Sequence, residues 1–88
     1  MTTKRIIAGN WKMNLAHPQA AELAAEVLKE SASLAKSEVW VAPPFTSIAA
    51  VAEVLRGSVV RYGAQNAHWE PSGAFTGEIS VPMLQALG

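Results

Sequence analysis

The chain has 88 residues, enough for one small domain. Seven basic and seven acidic residues give a formal charge of zero, so we expect neither nucleic acid nor an anionic membrane surface as a partner. Cysteine is absent, which excludes disulfides and thiolate metal sites. No apolar run is long enough for a signal-peptide core or a membrane span, so a soluble cytoplasmic protein is expected.

The first half of the chain predicts two strands and one long helix. A short apolar run predicts a strand over residues 5 to about 9, and a helix is predicted over residues 20–35 with Pro18 in its first turn. Small and apolar residues recur at helical spacing and predict a buried stripe: Ala20, Ala24, Val27, Ser31 and Leu34. Residues 39–42 are continuously apolar, which is typical of a parallel strand covered on both faces.

The second half predicts another helix and strand, followed by a longer loop. The helix over residues 46–55 has apolar side chains at the spacing of one face, and Gly57 is placed to end it in a left-handed conformation. A third strand is predicted over residues 59–65 and a loop over 66–79. Ser80 can cap a last short helix that reaches Leu87, with Pro82 in its first turn. Alternating strands and helices indicate an α/β fold built from right-handed βαβ units around a parallel sheet.

Residues 9–14, Gly-Asn-Trp-Lys-Met-Asn, follow the first strand and carry the most informative polar groups. If the strand alternation continues through them, Asn10 and Lys12 point to one face, while Trp11 and Met13 point to the other. An amide beside an ammonium suits an anionic or carbonyl-bearing small molecule. The alternative is a strand end whose lysine is simply hydrated, because exposed lysines are ordinary.

Two further stretches carry polar groups in an apolar context. Gln65 follows the third strand, so it can join Asn10 and Lys12 at the carboxyl-end rim where parallel α/β sheets bind ligands, although a plain turn explains it equally. His68 lies in the loop after that strand, and an exposed surface histidine is the favoured interpretation, as it is for His17 near a helix start. No partner for either histidine is evident in the sequence.

The segment over residues 73–80 combines two glycines with apolar side chains and a carboxylate, which is unusual for a loop. The apolar residues are Phe75 and Ile79, and the carboxylate is Glu78. Such a tip can dock into a partner, or it can fold back over its own core.

Three ordered motifs together resemble the triosephosphate isomerase family. They are residues 9–14, residues 41–44 (Val-Ala-Pro-Pro), and residues 64–66 (Ala-Gln-Asn) with the 73–80 loop, and the resemblance covers essentially the whole chain. The family fold is the (β/α)8 TIM barrel of about 250 residues. The resemblance therefore implies an incomplete single domain, with residues 1–88 forming the first three βα units of a partial barrel. The family's catalytic histidine and glutamate would lie beyond residue 88, and His68 does not substitute for them.

The resemblance also implies roles for individual residues. Lys12 and Asn10 would both be catalytic and substrate-binding. Lys12 would stabilise the developing enediolate, and Asn10 would hydrogen-bond the substrate and fix its pose. Phe75, Thr76 and Glu78 would belong to a loop that inserts into a second subunit. Met13 would line the pocket that receives this loop, and Gln65 would support the rim and the dimer contact.

The implied reaction interconverts dihydroxyacetone phosphate and D-glyceraldehyde 3-phosphate, a step of glycolysis and gluconeogenesis, in a cytoplasmic homodimer without metal or organic cofactor. A positioned general base contributes roughly 100- to 10,000-fold to such a reaction. Because the implied base is absent from residues 1–88, we expect this segment alone to be inactive. The alternative is a non-catalytic, self-associating or assembly module, since a three-stranded sheet leaves unpaired edges.

Overall fold

The computed structural model describes residues 4–34 and 36–88. Strands and helices alternate along the described chain, as the sequence predicts. They are β1 (Arg5–Asn10), α1 (His17–Ser31), β2 (Ser37–Ala42), α2 (Phe45–Leu55), β3 (Arg61–Tyr62) and α3 (Val81–Gln85). No helix among these residues combines the length and apolar character needed to cross a bilayer.

The three strands form one parallel sheet in the order β1-β2-β3. In the register of the sheet, Asn10 pairs with Ala42, so β1 and β2 end at the same level. Their carboxyl ends therefore form one continuous edge, called the carboxyl rim below, from which the loops to the helices depart. This arrangement confirms the parallel α/β prediction.

Helix α1 begins and ends earlier than the sequence pattern predicts. Pro18 lies in its first turn as expected. Ala20, Ala24 and Ser31 are buried, but Leu34 lies beyond the end of the helix and is exposed. The Ser31 hydroxyl donates to the carbonyl of Val27 at 2.6 Å in the last turn. The predicted buried stripe is therefore wrong at Leu34, and the predicted end at residue 35 lies outside the described residues.

Helix α2 supplies most of the core. Its predicted apolar face is confirmed, because Ile48, Val51, Ala52 and Leu55 are all buried. The core cluster combines Val51 and Leu55 with small residues of α1, with Val41 of β2 and with Val60 before β3. Gly57 follows the helix with φ +79°, the left-handed conformation that the sequence predicts.

Strand β3 is much shorter than the predicted strand over residues 59–65. Only Arg61 and Tyr62 pair with β2, and the Gly63 amide adds one further bond to the Val41 carbonyl at 3.1 Å. Since β2 ends at Ala42 before two prolines, the chain beyond Gly63 has no strand to pair with on that side. The predicted last helix is confirmed at its start, where the Met83 amide donates to the Ser80 side chain at 3.3 Å.

The face of the sheet opposite the helices is open. Ile6 and Ala8 of β1 line a concavity of about 390 Å³ together with Trp40 of β2, and the Ile6 side chain is 68% exposed. Glu38 accepts a hydrogen bond from the Trp40 indole N–H at 2.7 Å and pairs with Arg61 at 3.3 Å on the same face. The helices thus cover only one side of the sheet. The prediction that residues 39–42 are covered on both faces is therefore wrong for the described residues, because only Val41 of β2 is buried.

Candidate functional site

The carboxyl rim contains a lysine in an uncommon backbone conformation. Strand β1 ends at Asn10, and Lys12 has φ +54°, in the left-handed region that a residue with a long side chain rarely adopts. Leu15 in the same loop has φ +74°. Such conformations persist only where surrounding contacts enforce them, and they cluster at functional sites.

Two amide side chains hold the Lys12 backbone. Its N–H donates to Oδ1 of Asn10 at 2.9 Å. Its carbonyl accepts a hydrogen bond from Nε2 of Gln65 at 3.0 Å, and the same nitrogen donates to the Ala42 carbonyl at 2.8 Å. Gln65, from the loop after β3, therefore ties together the chain leaving β1 and the last residue of β2.

The left-handed turn changes the directions that strand alternation predicts. Trp11 packs against the core cluster, as expected for a residue facing the helices. Met13, which alternation would place on the same side, is 95% exposed. The prediction that alternation continues through residue 13 is wrong, because β1 ends at Asn10 and the backbone adopts a left-handed conformation at Lys12.

Asn10 retains one hydrogen-bonding group for a ligand. Its side-chain oxygen is occupied by the Lys12 amide, which leaves the NH₂ group as the donor available to a substrate oxygen. Asn10, Lys12 and Gln65 are all exposed, so the rim is open to solvent in this segment. A cleft of about 710 Å³ is lined by Lys4, Arg61 and residues from the opposite end of the sheet, and none of the three rim residues lines it.

Sequence reasoning missed two residues that shape the β1–α1 loop. Asn14 donates from Nδ2 to the Trp11 carbonyl at 2.8 Å, and the fully buried Ser47 of α2 lies 3.4 Å from the Leu15 carbonyl. The signal for Asn14 was its residue type, since asparagine readily bonds to nearby backbone groups. No local signal marks Ser47, because its partner is 32 residues away.

His68 is buried rather than exposed, which corrects the sequence prediction. The residue is 9% exposed, and its ring packs against those of Trp69 and Phe75, whose centroids both lie 4.3 Å away. The Glu70 amide donates to Nδ1 of His68 at 3.0 Å. The backbone of His68 also donates to the Ile79 carbonyl at 2.8 Å, which closes the loop on itself. His17, by contrast, is exposed at the start of α1, as predicted.

The 73–80 loop folds back on His68 and still presents an exposed tip. Phe75 covers one face of His68 but remains 44% exposed. The Glu78 amide donates to the Phe75 carbonyl at 3.1 Å, and Gly77 has φ +83°, the value that a type II turn requires at its third position. Thr76 lies at the tip of this turn, and Thr76 and Glu78 are both exposed.

Comparison with known proteins shows what this rim belongs to. The family model described as triosephosphate isomerase matches residues 5–88. The chain belongs to the triosephosphate isomerase family. Triosephosphate isomerase of Synechococcus sp. (strain RCC307) is 50% identical over 84 residues, covering 94% of this chain and 33% of the relative. That of Acetivibrio thermocellus is 48% identical over 88 residues, covering 100% of this chain and 35% of the relative.

A solved structure gives the same result for the fold. The crystal structure of triosephosphate isomerase from Bartonella henselae matches with a TM-score of 0.84 and 34% identity, covering 98% of this chain and 35% of that one. The predicted fold class, three parallel βα units of a (β/α)8 TIM barrel, is confirmed. The chain spans about a third of the length of the curated relatives it matches. These matches favour the isomerase over the alternative of a non-catalytic assembly module.

Proposed function

We propose that this segment supplies the substrate-binding lysine and asparagine of a triosephosphate isomerase. The enzyme would interconvert dihydroxyacetone phosphate and D-glyceraldehyde 3-phosphate in the cytoplasm. The observation that carries the proposal is the left-handed Lys12 at the carboxyl rim, held by Asn10 and Gln65. In α/β barrels the carboxyl ends of the strands form the active site. Such backbone strain at that rim is the expected mark of a functional residue.

Lys12 and Asn10 have complementary tasks in this reaction. Proton removal next to the substrate carbonyl builds negative charge on oxygen, and a fixed cation beside that oxygen lowers the barrier without reorganising. The Asn10 NH₂ group can donate to a second substrate oxygen, because its own oxygen is already engaged by the Lys12 amide. Together they would bind the substrate and stabilise the enediolate, while groups outside this segment would move the proton between the two substrate carbons.

The proton-transferring groups are proposed to lie on barrel units beyond this segment. In triosephosphate isomerase a glutamate acts as the base, and a neutral histidine polarises the substrate carbonyl. His68 is unsuited to such a role, since it is buried against the rings of Trp69 and Phe75 and its Nδ1 accepts from the Glu70 amide. Residues 1–88 would thus form the amino-terminal three units of one barrel domain, inactive without the rest.

The test uses a completed barrel, made by joining residues 1–88 to the units that follow the matched segment in the Acetivibrio thermocellus relative. We expect isomerase activity from the completed barrel and none from residues 1–88. Lys12→Met should lower kcat about 100-fold, since removing one preorganised donor costs about 3 kcal/mol. Lys29→Met, the same change on an exposed residue in the last turn of α1, is the matched control. Near-normal turnover of Lys12→Met would remove the lysine from the mechanism.

We also propose that the complete enzyme is a homodimer in which the 73–80 loop contacts the rim of a second copy. The loop is held in shape by the turn at Gly77 and by the ring of His68, yet Thr76 at its tip makes no side-chain hydrogen bond within the described residues. Met13 beside Lys12 is 95% exposed, which leaves an apolar surface uncovered near the site. Phe75, Glu78 and Gln65 would complete the contact.

Thr76→Arg tests this interface in the completed barrel. An added long cation at a packed loop tip should shift the sedimentation coefficient from dimer towards monomer. Ser33→Arg adds the same side chain at an exposed residue after α1, at the opposite end of the sheet from the carboxyl rim, and should leave the dimer intact. An unchanged sedimentation profile for Thr76→Arg would refute this contact.

A further inference from the structure

The peptide bond between Trp11 and Lys12 is held at both of its ends. Its carbonyl, on Trp11, accepts a hydrogen bond from Nδ2 of Asn14 at 2.8 Å. Its N–H, on Lys12, donates to Oδ1 of Asn10 at 2.9 Å. The next peptide is held at its carbonyl by Gln65. Three side-chain amides therefore restrain the two peptide planes on either side of the Lys12 Cα atom.

Asn14 controls a rotation that would otherwise relieve the strain at Lys12. A planar peptide can turn as a unit about the line joining its two Cα atoms, and such a turn changes ψ of residue 11 and φ of residue 12 together. The left-handed region is unfavourable for a residue with a side chain. Rotation of this peptide would let Lys12 leave that region. Asn14 bonds the carbonyl of this peptide and Asn10 bonds its N–H, which point in opposite directions. The peptide therefore cannot rotate without losing both hydrogen bonds.

We propose that Asn14 is a positioning residue for Lys12. It fixes the orientation of the 11–12 peptide, and through it the direction in which the lysine side chain leaves the rim. This inference rests on the proposed role of Lys12 in the isomerase reaction. Asn14 itself needs no contact with substrate, because its amide nitrogen is committed to the Trp11 carbonyl.

The decisive substitution is Asn14→Asp in the completed barrel. Aspartate has nearly the same shape, but its oxygen cannot donate to the Trp11 carbonyl. Misplacing a charged group by about 1 Å can cost up to about 100-fold in rate, so we expect kcat to fall about 10- to 100-fold. Gln19→Glu makes the same amide-to-carboxylate change on an exposed residue of α1 and should leave kcat unchanged. Asn14→Ala, which adds no charge, should lower kcat similarly.

A double-mutant cycle separates positioning from a general bracing of the loop. If Asn14 acts through the lysine, Asn14→Asp should lower kcat no further once Lys12→Met is present. A brace without connection to Lys12 would give the same fold-loss in both backgrounds. The Lys12 amide-to-Hα three-bond coupling, measured with ¹⁵N-lysine, should change in Asn14→Asp and Asn14→Ala because it reports φ.

The outcomes distinguish this inference from the function on which it rests. If Lys12→Met retains activity, the proposed role of the lysine fails and the inference fails with it. If Lys12→Met is slow but folded Asn14→Asp keeps its kcat and its Lys12 coupling, only the inference fails. The inference also fails if Asn14→Asp lowers kcat by the same factor in the Lys12→Met background as in the unsubstituted protein.

Discussion

The side-chain amide of Gln65 donates to the backbone carbonyl of Lys12 at 3.0 Å, across 53 positions of sequence. The same nitrogen reaches the carbonyl of Ala42 at 2.8 Å. One amide group thus satisfies two backbone acceptors at the ends of two different strands. The contact joins the third βα unit to the lysine of the first, so the position of Lys12 depends on the packing of all three strands.

Gln65→Glu should destabilise the completed barrel. Glutamate has nearly the same shape, but it would place a carboxylate oxygen against the Lys12 and Ala42 carbonyls in place of the donor. Losing a donor to two acceptors costs about 1–3 kcal/mol in the free energy of unfolding, which urea titration measures. kcat should fall as well, since the lysine carbonyl is released. A Gln65→Glu barrel as stable and active as Gln19→Glu would show that these bonds contribute nothing.

Gly73→Ala should displace the Phe75 ring from His68. Gly73 has φ +139°, and a methyl group there would lie 2.7 Å from Cε2 and 3.0 Å from Cδ2 of Phe75. Backbone strain of this kind costs about 1–3 kcal/mol, and the ring must also move away. Hydrogen exchange over residues 66–80 should accelerate, and the dimer should weaken. Gly77→Ala is the matched control, because Gly77 also has positive φ (+83°) but open space around it. Equal exchange in the two variants would mean that the ring contact is unimportant.

Sequence patterns predicted the features of this segment that depend on neighbouring residues. The helical spacing of Ile48, Val51 and Leu55 identified the buried face of α2, and the apolar run before Pro43 identified the parallel strand β2. These predictions succeed because the period of side-chain direction is a local property of the backbone.

The features that sequence reasoning missed depend on distant partners. The left-handed turn at Lys12 is held by Gln65 from 53 positions away, so strand alternation gave the wrong direction for Met13. The burial of His68 comes from a ring seven positions further along a loop that carries no periodic pattern. No propensity of the individual residues encodes either contact.

His68 should contribute to loop stability through both its hydrogen bond and its ring contacts, and two substitutions separate them. His68→Phe keeps an aromatic ring between Trp69 and Phe75 but removes the acceptor for the Glu70 amide. A part-buried N–H left without a partner should cost about 1–3 kcal/mol in the free energy of unfolding. His68→Leu loses the stacking as well, which adds about 0.5–1.5 kcal/mol per aromatic pair.

Urea unfolding of the completed barrel should therefore rank the unsubstituted protein above His68→Phe, and His68→Phe above His68→Leu. The Glu70 amide should exchange with solvent faster in both variants, because both remove its acceptor. His17→Phe, at the exposed start of α1, should change neither measurement. Unaltered Glu70 exchange in His68→Phe would mean that the imidazole acts only as a packed ring. In that case His68→Phe should match the unsubstituted protein in stability, and only His68→Leu should loosen the loop that carries Thr76.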